Sequence, residues 1–230
     1  ITVFFFLLII FFPALAQRET PLFDELEKLY DTGSCFQLAE AVGNSDLKKD
    51  ARMDFFRGAV AYFDYKPGIS NEHLAGFVKK SPPGNNALLR KAYGLLAANY
   101  LRLGRYAKAS ENFRVILDRF KTGLEAEETA SYENIVRLTE ALKNVKPQKV
   151  RIKADSVIKK SEPGSEWKLP VEANNYKVNL ILDTGANFSL IAESYARKLG
   201  IKFLDAQLNV GSINTSSVQT RLGVLPAMKI

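Results

Sequence analysis

Asp183-Thr184-Gly185-Ala186 stands between the apolar run Leu180-Ile181-Leu182 and the segment Asn187-Phe188-Ser189-Leu190-Ile191. An Asp at the end of an apolar strand can act as a general base if the strand holds it rigid and partly desolvated. Gly185 permits a sharp backbone path and the close approach of a partner chain. Thr184 offers a hydroxyl small enough to hydrogen-bond across the base of the loop. Hydrolysis of a peptide bond by carboxylates needs two of them sharing one proton. One activates a water, and the other, protonated, polarises the carbonyl. Like charges about 3 Å apart resist joint ionisation, so the two pKa values split and belong to the pair.

Strand-like segments surround this loop. Trp167 to Ala173 alternates in polarity, Asn174-Asn175 suits a tight hairpin turn, and Tyr176 to Leu182 alternates before becoming continuously apolar. Glu193 to Leu199 reads as a short helix ended by Gly200 at its C-cap. A second hairpin is expected from Leu208-Asn209-Val210, through Gly211-Ser212, to Val218–Val224.

The string ILDTGANFSLI, the preceding LPVEANNYKVN and the following ESYARKLGI resemble the retropepsin-like aspartic peptidases. More narrowly, they resemble exported bacterial proteins carrying such a domain after helical repeats. The family is the standard instance of a split carboxylate pair. The resemblance implies a β-rich fold in which each subunit supplies one Asp-Thr-Gly loop and a homodimer completes the site. Asp183 would be catalytic, Thr184 would interlock the loops, and Gly185 would make the turn. Gly211-Ser212 lies where the flap hairpin over the substrate is expected. The family continues with further strands beyond the length seen here, so the chain is expected to be incomplete at both ends.

Asp31-Thr32-Gly33-Ser34 spells the same signature, which would suggest a two-lobed enzyme. Its flanks oppose that reading. Leu22-Phe23, Leu26 and Leu29 precede it and Phe36, Leu38-Ala39 and Val42 follow it, both at helical spacing. Asp31 is therefore expected in a helix–helix turn.

From Leu22 to about Asn144 apolar residues recur every three or four positions. The clearest stretch is Tyr93, Leu96, Ala97 and Tyr100, then Gly104, then Tyr106, Ala109, Phe113 and Ile116. This spacing is similar to a tetratricopeptide repeat, in which small residues let two antiparallel helices approach. Phe56, Ala59, Val60 and Phe63 suggest another first helix, broken by Pro67-Gly68, with Leu74 to Val78 in its partner. Leu22–Tyr30 and Phe36–Val42 suggest a further pair, and Glu125–Leu142 a longer helix that caps the stack. A generic helical bundle is the alternative to a repeat stack.

The expected fold is α+β and multidomain. Residues 1–16 read as an incomplete signal peptide, 17–146 as the tetratricopeptide-like domain, 147–166 as a linker and 167–230 as an incomplete retropepsin-like domain. Val3–Phe12 is an unbroken apolar run, too short to span a bilayer, and Ala14-Leu15-Ala16 is a small-x-small cleavage site. An exported protein is therefore expected, in the bacterial periplasm or secreted, without a stable membrane anchor.

With one Cys, Cys35, there is no intramolecular disulfide, and one His, His73, cannot build a His-rich metal site. No metal and no cofactor is expected. The formal net charge is +7 in 230 residues, with no basic run longer than a pair. That reads as a solubility and steering property, and nucleic acid is not an expected partner. The expected partners are a peptide or protein substrate, a second copy of the chain, and a protein held by the repeats. The rival reading is a non-catalytic adaptor whose β domain serves only dimerisation.

Overall fold

The computed structural model describes residues 13–45, 50–81, 84–155, 157, 166–183, 189–212 and 215–230. It divides into two compact units, Ile1–Thr139 and Glu140–Ile230. The apolar run Val3–Phe12 lies outside the described residues. Among the described residues no helix is long and apolar enough to cross a membrane.

The first unit is helical. Its described helices are α1 (Pro13–Asp31), α2 (Cys35–Gly43), α3 (Ala51–Phe63), α4 (Pro67–Lys80), α5 (Asn86–Arg102), α6 (Tyr106–Phe120) and α7 (Ala126–Leu142). The first six form three hairpins joined by one device. In each, the residue after the C-cap is left-handed: Gly33 at φ 67°, Tyr65 at 54° and Gly104 at 64°. Each such turn closes a Schellman pair of backbone bonds. Ser34 N–H donates to the Leu29 carbonyl at 2.9 Å, Lys66 N–H to that of Ala61 at 2.9 Å and Arg105 N–H to that of Tyr100 at 2.8 Å. The second hairpin departs from the sequence expectation. Tyr65 ends α3, whereas Pro67 opens α4 at a position where its missing N–H is harmless.

Asp31-Thr32-Gly33-Ser34 is the first of these turns, as its helical flanks require. Thr32 Oγ1 donates to the Lys28 carbonyl at 2.9 Å, and Lys91 of α5 reaches Asp31 at 2.6 Å.

Two apolar clusters hold the unit. Phe23, Leu26, Leu38, Met53, Phe55, Phe56, Leu74 and Phe77 are buried in one. Ala97, Ala109, Phe113 and Ile116 form the other, and Tyr132, Ile135 and Val136 of α7 pack on it. Polar groups register three helices against one another. Ser70 Oγ donates to the Gly58 carbonyl at 2.7 Å and Asn99 Nδ2 donates to Ser70 Oγ at 2.8 Å. Buried polar atoms bonded in this way fix a register that apolar packing alone leaves loose.

The second unit opens with β1 (Lys168–Ala173) and β2 (Tyr176–Ile181), antiparallel, with Val171 opposite Val178. Asn174 and Asn175 both have positive φ, 49° and 58°, the backbone of a type I′ turn. Helix α8 (Glu193–Lys198) follows, with C-cap Leu199 and left-handed Gly200 one residue beyond. Asn174 Nδ2 donates to the Lys198 carbonyl at 3.0 Å, so the hairpin turn caps this helix. Strands β3 (Lys202–Ser212) and β4 (Thr215–Val224) make a second two-stranded sheet, with a register shift between Phe203 and Gln207. Gly211 and Ser212 belong to β3, and Ser212 pairs with Thr215, so they do not form the turn that the sequence suggested. The β-propensity of Thr215 and its neighbours carries the pairing further than the Gly-Ser punctuation implies. Lys229 bridges the outer edge of β1, exchanging two 2.9 Å backbone bonds with Glu172.

Candidate active site

Strand β2 delivers the chain to Asp183. Its side chains alternate between half-buried Tyr176, Val178 and Leu180 and exposed Lys177, Asn179 and Ile181. One further hydrogen bond, from Leu182 N–H to the Trp167 carbonyl at 2.8 Å, carries the β1–β2 ladder past the last paired residue. It pins the backbone directly before Asp183. Sequence reading gave Trp167 no role beyond opening the strand. A backbone carbonyl acting through register leaves no compositional signal.

Asp183 is exposed. Thr184 and Gly185, with Ala186, Asn187 and Phe188, lie outside the described residues. The chain re-enters with Ser189 and Leu190, and Ala192 caps α8.

The apolar flank does not desolvate Asp183 as the sequence suggested: Ile181 is 57% exposed and Leu182 45%. The physical reason is the position of the buried contacts. Val171 and Ala173 are buried towards the Asn174-Asn175 end, where the hairpin meets α8. Asp183 sits at the opposite end of a sheet of two strands. Consecutive strand residues point to opposite faces, so both faces are open there.

Helix α8 is tied to the second hairpin by charge. Glu193 accepts from Arg197 on its own helix and from Arg221 of β4 at 3.3 Å. The Arg221 guanidinium also lies 4.2 Å from the centre of the Phe203 ring. Helix α8 is thereby tied to β3 and β4. Among the described residues no three His, Cys, Asp or Glu side chains gather to hold a metal ion.

Residues 169–230 match the family model described as aspartyl protease. The C-terminal end of the chain is a retropepsin-like aspartyl protease domain. The match begins within β1 and takes in Asp183, α8 and both strands of the second hairpin. No curated protein and no solved structure matches the chain.

Within this aspartyl protease domain the described residues include one Asp of an Asp-Thr-Gly signature, Asp183, two residues beyond the end of β2. The other signature Asp, Asp31, belongs to the helical unit and ends a helix. A shared-proton mechanism thus needs a carboxylate from outside the single loop. Gly211 and Ser212, expected at the flap, are the last residues of β3.

Proposed function

We propose that this chain is an exported aspartic endopeptidase whose site forms when two copies each contribute Asp183. The observation that carries the reading is the position of Asp183 within the family match, at the end of a strand whose last step is pinned by Trp167. In the proposed reaction one Asp183 carboxylate takes a proton from water. The other, protonated, donates to the peptide carbonyl, giving a tetrahedral diol that collapses as the amine leaves with a proton. Thr184 would interlock the two loops and Gly185 would make the turn that lets them meet.

The helical unit would hold a protein partner or the substrate in the manner of tetratricopeptide repeats. Its three hairpins with identical Schellman turns support that assignment. So does a cleft of about 240 Å³ lined by Tyr30, Arg90, Lys91, Leu95, Glu128 and Tyr132. Export to the periplasm or medium rests on Val3–Phe12 and Ala14-Leu15-Ala16. The exposure of Asp183 and its flanks favours the rival reading, an adaptor whose β domain only dimerises.

The deciding experiment is a peptide-library digest by the full-length protein across pH and protein concentration. Hydrolysis should rise with dimer concentration. It should be best at acidic to mildly acidic pH, where the pair holds one proton. Asp183→Asn should lose it by orders of magnitude, whereas Asp31→Asn should leave it nearly unchanged. Full activity in Asp183→Asn ends the peptidase reading, and an inactive wild type favours the adaptor.

A further inference from the structure

The chain's positive charge is not scattered. Residues 1–142 hold 18 basic and 18 acidic side chains, whereas residues 143–160 hold seven basic and one acidic. The second stretch thus accounts for six of the seven net charges. Within it Lys146 to Asp155 forms neither helix nor strand, and all ten side chains are exposed. Lys149, Arg151 and Lys153 alternate with Val150 and Ile152, which are 75% and 83% exposed. Lys143 is paired with Glu140, but Lys146, Lys149, Arg151 and Lys153 have no ion-pair partner among the described residues. Pro147 biases Lys146 away from the helical region, which keeps the start of the strip from extending α7.

We infer that Lys146–Asp155 is a docking strip for an anionic phospholipid surface. Four unpaired cations within eight residues match a dense field of phosphates, each gaining roughly 1 kcal/mol near such a surface. Drawn out along it, a chain with alternating side chains presents the cations to headgroups. Val150 and Ile152 then turn towards the acyl boundary. Those aliphatic groups decide between ligands. They gain nothing from a nucleic acid, which would call for aromatic side chains to stack on bases, and residues 143–157 contain none. The contact is peripheral and salt-sensitive, and it does not require a membrane-spanning helix.

The test is sedimentation of the full chain with vesicles of equal parts phosphatidylglycerol and phosphatidylcholine, against phosphatidylcholine alone. Binding should be confined to the anionic vesicles and should collapse at high salt, where surface charges are screened. The triple variant Lys149→Gln/Arg151→Gln/Lys153→Gln should bind on the order of a hundredfold more weakly. Val150→Ser/Ile152→Ser, with every charge kept, should lose roughly tenfold. The strip makes no helix or strand bonds, so unchanged far-ultraviolet circular dichroism confirms that both variants fold. A short DNA duplex and polyglutamate serve as competing soluble polyanions and should displace little protein. Equal binding to neutral vesicles, an unaffected triple variant, or preference for duplex or polyglutamate over vesicles overturns the assignment.

Discussion

Two Gly→Ala substitutions in the helical unit should act with opposite sign. Gly58 is buried in α3, and a methyl group built there would lie 2.6 Å from Leu74 Cγ, 2.8 Å from its Cδ2 and 3.3 Å from its backbone N. Carbon atoms rest 3.5–4.0 Å apart, so Leu74 must move by about 1 Å. Leu74 is itself fully buried and its backbone is close, so α4 must move with it. Overpacking of this kind costs about 1–3 kcal/mol. The Ser70–Gly58 hydrogen bond adds about 1 kcal/mol if α4 shifts, and the helix preference of Ala over Gly returns about 1 kcal/mol. The net is a loss of about 2 kcal/mol, or roughly 6–8 °C in melting temperature for a unit of this size. At Gly94 of α5 the same methyl meets only Ile116 Cδ1, at an ordinary 3.9 Å. Gly94→Ala should therefore gain about 0.5–1 kcal/mol. Thermal melts followed by far-ultraviolet circular dichroism measure both. Gly58→Ala in a Leu74→Ala background should cost much less, because only the 3.3 Å contact with the Leu74 backbone N remains. A Gly58→Ala protein that melts at or above wild type would refute the close α3–α4 approach.

Other perturbations test the polar framework of the same unit. Asp50 caps α3, accepting from Arg52 N–H at 2.8 Å and from its guanidinium at 2.7 Å. Asp50→Ala should cost about 1 kcal/mol near neutral pH. The Arg52 hydrogen bond holds the Asp50 carboxyl below its ordinary value of 3.8, against an opposing effect of burial. A depressed folded-state pKa gives stability that is fully present above the ordinary value of 3.8 and is lost as pH falls through the lowered value. Chemical-denaturation curves of wild type and Asp50→Ala should converge in acid. Tyr30 behaves in the opposite sense: burial first, then the neighbouring Asp31, pushes its phenol up from 10.0 to about 12. A raised folded-state pKa means stability that is intact below pH 10.0 and lost as pH climbs towards 12. Burial also pushes the Tyr132 phenol up, so the late-titrating phenolate absorbance should shrink without vanishing in Tyr30→Phe, and that variant should melt with a shallower alkaline decline.

The sequence determined what is closed by local bonds. Helical spacing around Asp31-Thr32-Gly33 assigns that signature to a turn, because a Schellman cap is completed within six consecutive residues. Asn174-Asn175 was legible for a similar reason: a two-residue hairpin needs positive φ twice, and Asn tolerates it. Gly200 likewise marks the end of α8. Tyr65 was not legible, since a Tyr in left-handed backbone carries no sequence signal and the nearby Pro67-Gly68 draws the break two residues too late. Tertiary structure alone decided the rest. The apolar look of Leu180-Ile181-Leu182 suggested burial around Asp183, but burial depends on what packs against a strand. The packing in this unit lies at the hairpin's other end. Ser70 and Asn99 are polar residues of two helices, yet they join Gly58 in one buried chain of hydrogen bonds. Their partners lie 12 and 29 residues away, a separation at which only the folded chain selects who meets whom.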